Sequence, residues 1–140
     1  MDLFSRIARR YDHIIRGFDL EKIIDDFTYS REELLLDLGG GTGRVANLFL
    51  NYVNECLVLD RSFEMIKQAQ NKSRNLLLVQ GTGDSMPFRE NTIKQIFVND
   101  VLHHIRKQKE TLQESYLVLK ENGKLIIRDY DRKYIGNIFL

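Results

Sequence analysis

Five short apolar runs, each followed by polar or glycine-rich residues, constrain the fold of this chain more than any other feature. The runs occupy residues 34–38, 56–60, 76–80, 96–100 and 124–129. Segments between them carry apolar residues every three or four positions, the spacing of an amphipathic helix. Strands that are apolar along their whole length have both faces covered, which indicates a parallel sheet between two layers of helices. With right-handed crossovers, the pattern predicts a doubly wound α/β sandwich.

Length and composition predict a single domain. The chain has 140 residues, 43% of them hydrophobic, which suits one core and hardly two. Helical spacing in residues 1–30 predicts a helical cap ahead of a core at 33–130. A formal net charge of +1 offers no single-signed surface for nucleic acid. No apolar stretch reaches the ~18 to 20 residues of a membrane span, and the N-terminus lacks a secretory apolar region. Neither a nucleic acid nor a membrane is therefore expected as a partner.

The single cysteine, Cys56, lies within the apolar run "CLVLD". One cysteine excludes an internal disulfide, and no zinc-binding pattern is present, so no metal site is predicted. The apolar neighbours favour a buried structural thiol over the alternative of a catalytic one. A reducing cytoplasm is the expected compartment.

The stretch "DLGGGTG" at residues 37–43 holds four glycines within five positions. Glycine costs ~0.5 to 1 kcal/mol relative to alanine in regular structure, so this excess indicates backbone that approaches a ligand closely. A phosphate-binding P-loop is excluded because Arg44 and Val45 stand where Lys and Ser or Thr are required. Counted from Gly41 through Gly43 to Ala46, the stretch permits a dinucleotide fingerprint, so an NAD-type oxidoreductase stays an alternative.

Unusual polar residues follow the other strands as well. Asp60 ends the second run, 17 residues after Gly43, near the ~20 expected for an acidic residue that accepts hydrogen bonds from ribose hydroxyls. "GTGDS", "NDVLHH" and "RDYD" follow the third, fourth and fifth runs. Ligands of doubly wound sheets bind beyond the carboxyl ends of the strands, so these segments are expected to meet at one site.

The spacing Asp37-x-Gly39-x-Gly41-x-Gly43, together with "LVLDRSFEMIKQAQ" and the later His-His pair, resembles class I S-adenosylmethionine-dependent methyltransferases. The branch it is most similar to is the small-molecule, ubiquinone/menaquinone type, and the resemblance covers roughly residues 4–130. It implies a Rossmann-like sheet of strand order 3-2-1-4-5. It also implies S-adenosylmethionine as cofactor, S-adenosylhomocysteine as product and a small-molecule methyl acceptor.

The C-terminal part departs from the family pattern. Only nine residues follow Asp131, enough for one short strand or helix. We therefore expect the usual reversed strand pair to be missing, and an open sheet edge to favour self-association.

The resemblance implies a cofactor site built mostly from residues that follow the strands. Asp37 is expected to bind the cofactor's ammonium group and Asp60 its ribose. Thr82 stands where the family carries Asp. The residue that accepts the adenine amino group is therefore left open among Thr82, Gly83 and Asp84. The implied cofactor-binding residues are Asp37, Gly39, Gly40, Gly41, Gly43, Asp60, Arg61, Met65, Thr82, Gly83, Asp84, Asn99 and Tyr11.

His103 and His104 lie in the segment that, by resemblance, borders the transferred methyl group. They are candidate substrate contacts or a general base, because imidazole titrates near neutrality. The sequence shows no nucleophilic triad, and methyl transfer from a sulfonium depends chiefly on orientation. A module that binds S-adenosylmethionine or S-adenosylhomocysteine without catalysis is the alternative function.

Overall fold

The computed structural model describes residues 30–131 and 134–139, which form a single sheet with flanking helices. The predicted helical cap and Tyr11 lie outside the described residues. Within these residues, no helix is long and apolar enough to cross a bilayer. The elements are β1 (Leu35–Leu38), α1 (Arg44–Phe49), β2 (Cys56–Asp60), α2 (Phe63–Ala69), β3 (Leu76–Gln80), β4 (Ile93–Asn99), a 3-10 turn (Leu102–His104), α3 (Gln108–Val118), β5 (Leu119–Asp131) and β6 (Tyr134–Phe139).

The sheet has the order β3-β2-β1-β4-β5-β6. Strands β1 to β5 pair in parallel, with Leu36 of β1 aligned to Leu57 of β2 and Ile96 of β4. The predicted order 3-2-1-4-5 is confirmed. The chain leaves β1 in one direction for β2 and β3, then returns to β1's other side for β4. The carboxyl ends of β1 and β4 therefore form the topological switch point at which such folds bind ligands.

The central strand is buried on both faces, as its continuous apolar sequence predicts. Successive side chains of a strand point to opposite faces. Leu35 joins a cluster with Phe49 of α1 and Phe97 of β4, whereas Leu36 joins a second cluster around Ile96. The rings of Phe49 and Phe97 meet edge to face, with centroids 5.6 Å apart. This two-sided core holds the strand ends, and the residues after them, in fixed positions.

Cys56 is a fully buried free thiol in the first of these clusters. Burial, and secondarily the charge of Asp37, raises the pKa of the Cys56 thiol well above its usual value. A thiol that stays protonated is a poor nucleophile, so the structure supports the structural role and not the catalytic one.

Two elements differ in detail from their predicted form. Strand β4 begins at Ile93, three residues before the predicted start. Strand β5 begins at Leu119, before the predicted run at 124–129, and is irregular near its start: four residues lie between Leu119 and Lys124, whereas one residue lies between their partners Ile93 and Gln95. Asn122 takes the left-handed conformation there, with φ 62°. The Asn-Gly pair thus bends a strand, because its neighbours on both sides continue the ladder with β4.

The C-terminal strand corrects the expectation of an open edge. β6 pairs antiparallel with β5, from Arg128 opposite Phe139 to Asp131 opposite Tyr134. A single reversed strand therefore occupies the place where the resemblance implies a pair. The edge of β5 is covered by the chain's own backbone, which removes the stated reason for self-association through it.

Candidate functional site

A cleft of about 260 Å³ opens at the switch point, beyond the carboxyl ends of β1, β2, β3 and β4. This is close to the lower limit of ~300 Å³ usual for small-molecule sites. Ten predicted site residues line it: Gly39, Gly41, Asp60, Arg61, Met65, Thr82, Gly83, Asp84, Asn99 and His104. Asp37, Gly40, Gly43 and His103 are close by but do not form its wall. Segments far apart in sequence therefore meet at one place.

At three glycines of the loop, protein atoms lie close to the position that a Cβ would take. A Cβ on Gly39 would lie 2.8 Å from both methyl carbons of Val101, and one on Gly40 would lie 2.6 Å from Oδ2 of Asp37. A Cβ on Gly43 would lie 3.1 Å from a leucine of β3. At these three positions protein atoms already occupy the space that a Cβ would need, and the predicted contacts of their backbone with a cofactor stay a prediction.

Gly41 is the glycine that faces open space. Its φ is 57°, and a Cβ there would meet nothing nearer than Met65 Sδ at 3.7 Å and Asp60 Oδ2 at 4.0 Å. Both neighbours line the cleft with it. Bare backbone at this one position leaves room beside the Asp60 carboxylate for a bound molecule.

Asp60 ties the glycine loop to the end of β2. Its Oδ2 accepts a hydrogen bond from the backbone N–H of Gly41 at 2.9 Å, and its Oδ1 accepts one from Ser62 at 2.8 Å. Ser62 is also the N-cap of α2, and its hydroxyl accepts a hydrogen bond from the Met65 N–H. The carboxylate is thus fixed in direction at the end of β2.

Asp37 lies beneath the loop instead of on the cleft wall. It is 2% exposed, and its Oδ2 has no hydrogen-bond partner in the described part of the chain. Burial, and then the charge of Asp60, raises the pKa of Asp37 to about 7, against a smaller opposing effect of the Ala46 N–H that donates to it. Because Gly40 covers the carboxyl group, the predicted contact between Asp37 and a cofactor ammonium stays a prediction.

The three candidates for reading adenine form one short turn. Thr82 bridges to Ser85, and the Thr82 hydroxyl hydrogen-bonds to the Asp84 carboxylate. That bond, together with Lys107, whose Nζ lies 3.5 Å from Oδ2, lowers the pKa of Asp84. Gly83 packs closely on Thr111 of α3, where a Cβ would approach a methyl carbon to 2.7 Å. All three line the cleft, so the choice among them stays open.

Polar groups at the end of β4 form the opposite side of the cleft. Asn99 lines it with a buried Oδ1 that has no hydrogen-bond partner among residues 30–131. Asp100 follows in a left-handed conformation, φ 54°. Burial raises the pKa of Asp100, while His103 lowers it and Asp129 raises it further. Asp100 was not predicted, although it stands within the quoted "NDVLHH".

The two histidines occupy different positions. His104 is exposed and lines the cleft, whereas His103 lies behind it with its ring against that of His104, centroids 3.9 Å apart. His103 contacts Asp129 of β5 twice: Nδ1 lies 2.5 Å from Oδ1, and its backbone N–H donates to Oδ2 at 3.0 Å. Sequence reasoning missed Asp129. The available signal was its place in "RDYD", at the end of the fifth apolar run.

Asp100, His103 and Asp129 each offer one atom of a type that binds metal ions, all within 4.8 Å of one another. The His103–Asp129 bond already engages two of the three groups. What the arrangement offers chemically is an imidazole oriented by a carboxylate, beside a cleft with several acceptor oxygens.

Comparison with known proteins identifies the family. Residues 36–127 match the family described as a methyltransferase domain. The chain is 29% identical over 145 residues to the ubiquinone/menaquinone biosynthesis C-methyltransferase UbiE of Blochmanniella floridana, covering 92% of this chain and 57% of the relative. It is 30% identical over 135 residues to the uncharacterized methyltransferase YcgJ of Bacillus subtilis (strain 168), covering 91% and 53%.

A solved structure supports the same fold. The crystal structure of a SAM-dependent methyltransferase from Aquifex aeolicus superposes with a TM-score of 0.80 at 22% identity, over 96% of this chain and 77% of that one. The chain spans a little over half the length of the two curated relatives. On the family match and the strand order together, the chain belongs to the methyltransferase domain family and is a class I S-adenosylmethionine-dependent methyltransferase domain.

Proposed function

We propose that this domain binds S-adenosylmethionine in the cleft and transfers its methyl group to a small-molecule acceptor. The observation that carries the proposal is Asp60. Two backbone N–H groups hold its carboxylate beside the open space at Gly41. A carboxylate so oriented accepts hydrogen bonds from both hydroxyls of a ribose, the group that the cofactor presents.

Other groups around the cleft suit the remaining parts of the cofactor. The Thr82–Asp84 turn supplies acceptors for an adenine amino group, and Met65 supplies apolar surface. The buried Oδ1 of Asn99 lacks a partner within residues 30–131 and suits a donor on the bound molecule. The cleft is lined by carboxylates and by cationic side chains, which suits a cofactor that carries groups of both charges; they are Asp60, Asp84 and Asp100, and Arg61, Arg106 and Lys107.

The reaction requires little of the protein beyond placement. Once bound, S-adenosylmethionine supplies an electrophilic methyl group on a sulfonium, which leaves as a neutral thioether. Holding an acceptor in line with that methyl can supply ~7 to 11 kcal/mol of the barrier reduction. Asn99, Asp100, Val101 and His104 line the cleft at the end of β4. We propose that acceptor and methyl meet beside them.

The acceptor is proposed at the level of a small molecule. UbiE of B. floridana is named a ubiquinone/menaquinone biosynthesis C-methyltransferase, and YcgJ of B. subtilis carries no stated substrate. Both relatives are longer than the matched region. A buried free thiol at Cys56 suits the reducing cytoplasm that we propose as the compartment.

Calorimetry tests the cofactor. We expect S-adenosylhomocysteine to bind more tightly than NADH, and the reverse order would contradict the proposal in favour of an oxidoreductase. Asp60→Ala should weaken binding at least tenfold, ~1.4 kcal/mol. Glu90→Ala, an exposed carboxylate outside the cleft, is the matched control. Thermal melts of both variants show whether Asp60→Ala also destabilises the fold, since Asp60 bonds the glycine loop at Gly41.

Incubation with methyl-labelled S-adenosylmethionine and a metabolite extract tests the transfer. Label in a small molecule, dependent on Asp60, is the expected result. Cofactor binding without any transfer to the extract would instead favour the non-catalytic module.

A further inference from the structure

We infer that His103 is the general base of the proposed methyl transfer and that Asp129 is a positioning residue that keeps the proton of the neutral imidazole on Nδ1. The inference rests on the proposed function and adds to it a named base and the residue that orients it. Nothing in the sequence pattern distinguished His103 from His104 or pointed to Asp129 as a partner.

The contact between the two residues uses both oxygens of one carboxylate. Asp129 Oδ2 accepts the backbone N–H of His103 at 3.0 Å, and Oδ1 lies 2.5 Å from Nδ1 of the same residue. The side chain of Asp129 is 12% exposed, so water competes little for these oxygens. Because one group binds both the backbone and the ring, the orientation of the ring relative to its own backbone is fixed.

This geometry decides where the imidazole proton lies. A carboxylate is an acceptor only, so Nδ1 must carry the hydrogen that makes the bond. In a neutral ring Nε2 then has a lone pair and no hydrogen. Within the described residues Nε2 has no hydrogen-bond partner, and the His103 side chain is 28% exposed. Nε2 is therefore prepared to accept a proton from a molecule that enters beside it.

His103 lies directly behind the cleft wall, next to the place that we propose for the acceptor. Its ring packs against His104, which lines the cleft, and it follows Asp100, which lines it too. As the acceptor atom forms its bond to the methyl carbon, the carbon–sulfur bond breaks and its electron pair stays on sulfur. The proton of the acceptor's O–H, N–H or C–H group moves to Nε2. The resulting imidazolium is stabilised by the Asp129 charge.

Asp129→Asn gives a sharp test because an amide cannot repeat both contacts. Its one oxygen can accept the backbone N–H only if its NH2 group faces Nδ1. The ring then has to carry its proton on Nε2, the wrong nitrogen for a base. The same tautomer logic applies to the aspartate of a serine-protease triad. Asp129→Glu retains a carboxylate, and Glu121→Gln, at an exposed position, is the matched control.

Long-range ¹H–¹⁵N spectra of histidine-labelled protein at pH 8.5 identify the tautomer of His103 without any cofactor. The variant His103→Gln assigns the His103 signal among those of the three histidines. We expect Nδ1–H in the wild type and in Asp129→Glu, and Nε2–H in Asp129→Asn. Nε2–H in the wild type would overturn the inference. So would loss of the His103 signal at equimolar MnCl2, because the cluster with Asp100 would then be a metal site.

Methyl transfer to the same metabolite extract measures how the tautomer of His103 affects the rate of the reaction. We expect Asp129→Asn to lower kcat ~100-fold or more, with unchanged KM for S-adenosylmethionine and unchanged affinity for S-adenosylhomocysteine. Asp129→Glu should recover part of the rate. Normal cofactor affinity with an unchanged kcat in Asp129→Asn would refute the role of the pair alone. Absence of cofactor binding in the wild type would refute the proposed function itself.

Discussion

Replacing Asp37 by Asn should make the stability of the domain much less dependent on pH. Asp37 shares the face of β1 that packs under α1, where Leu35 belongs to an apolar cluster. Its carboxyl is buried, with one oxygen lacking a partner among the described residues. Asn has nearly the same shape, and its amide oxygen can still accept from the Ala46 N–H that bonds to Asp37. The substitution therefore removes the ionisable group and keeps the packing.

The magnitude follows from the pKa of Asp37, which is raised from 3.8 to about 7 by burial and then by Asp60. The unfolded chain loses this proton near pH 3.8, whereas the folded protein keeps it until about pH 7. Between those values the folded state binds more protons, so the free energy of unfolding falls as pH rises. The loss is complete above about pH 7. At 1.36 kcal/mol per pH unit it totals about 4 kcal/mol, of which about 3 kcal/mol falls between pH 5 and 8.

Urea denaturation of the cofactor-free protein at pH 5 and pH 8 measures this loss in the free energy of unfolding. The wild type should lose about 3 kcal/mol more than Asp37→Asn over this interval. Glu90→Gln, an exposed carboxylate, should follow the wild type. Histidines and other groups that titrate in this range are common to all three proteins, so the difference isolates Asp37. If wild type and Asp37→Asn lost the same free energy between the two pH values, the buried ionisation assigned to Asp37 would be refuted.

The loop glycines and the cysteine give further predictions. Gly39→Ala and Gly41→Ala both place alanine at positive φ, a cost of ~1 to 2 kcal/mol, but only Gly39→Ala also drives a Cβ into Val101. Thermal melts should show the larger decrease in melting temperature for Gly39→Ala, and equal melting temperatures would contradict the packing assigned to Gly39. Calorimetry should show weaker S-adenosylhomocysteine binding for Gly41→Ala. Cys56 should resist a thiol reagent at pH 8 in the folded protein and react in urea, since it is buried with a raised pKa; fast reaction of the folded protein would contradict this.

Apolar periodicity in the sequence was enough to predict the order of the strands and helices from β1 to β5. A continuous apolar run indicates a strand that is buried on both faces, and helical spacing indicates a helix that is buried on one face. Each pattern lies within one segment of the sequence, so it can be identified without knowledge of the tertiary structure. The runs at 56–60 and 76–80 became β2 and β3 with those bounds. The same local logic placed Asp60, Asn99 and the Thr82–Asp84 turn at strand ends, and the parallel sheet then brought them to one cleft.

The contacts of these residues follow from the three-dimensional packing and could not be predicted from periodicity. Three loop glycines pack against side chains from other elements, and Gly41 is the one of the four whose Cβ would point into open space. The His103–Asp129 pair joins residues 26 positions apart. It forms because β4 and β5 are aligned in register, with the Asp100 N–H bonded to the Arg128 carbonyl at 2.7 Å. Such contacts depend on strand register and on packing between distant segments, whereas periodicity describes only how each segment is buried.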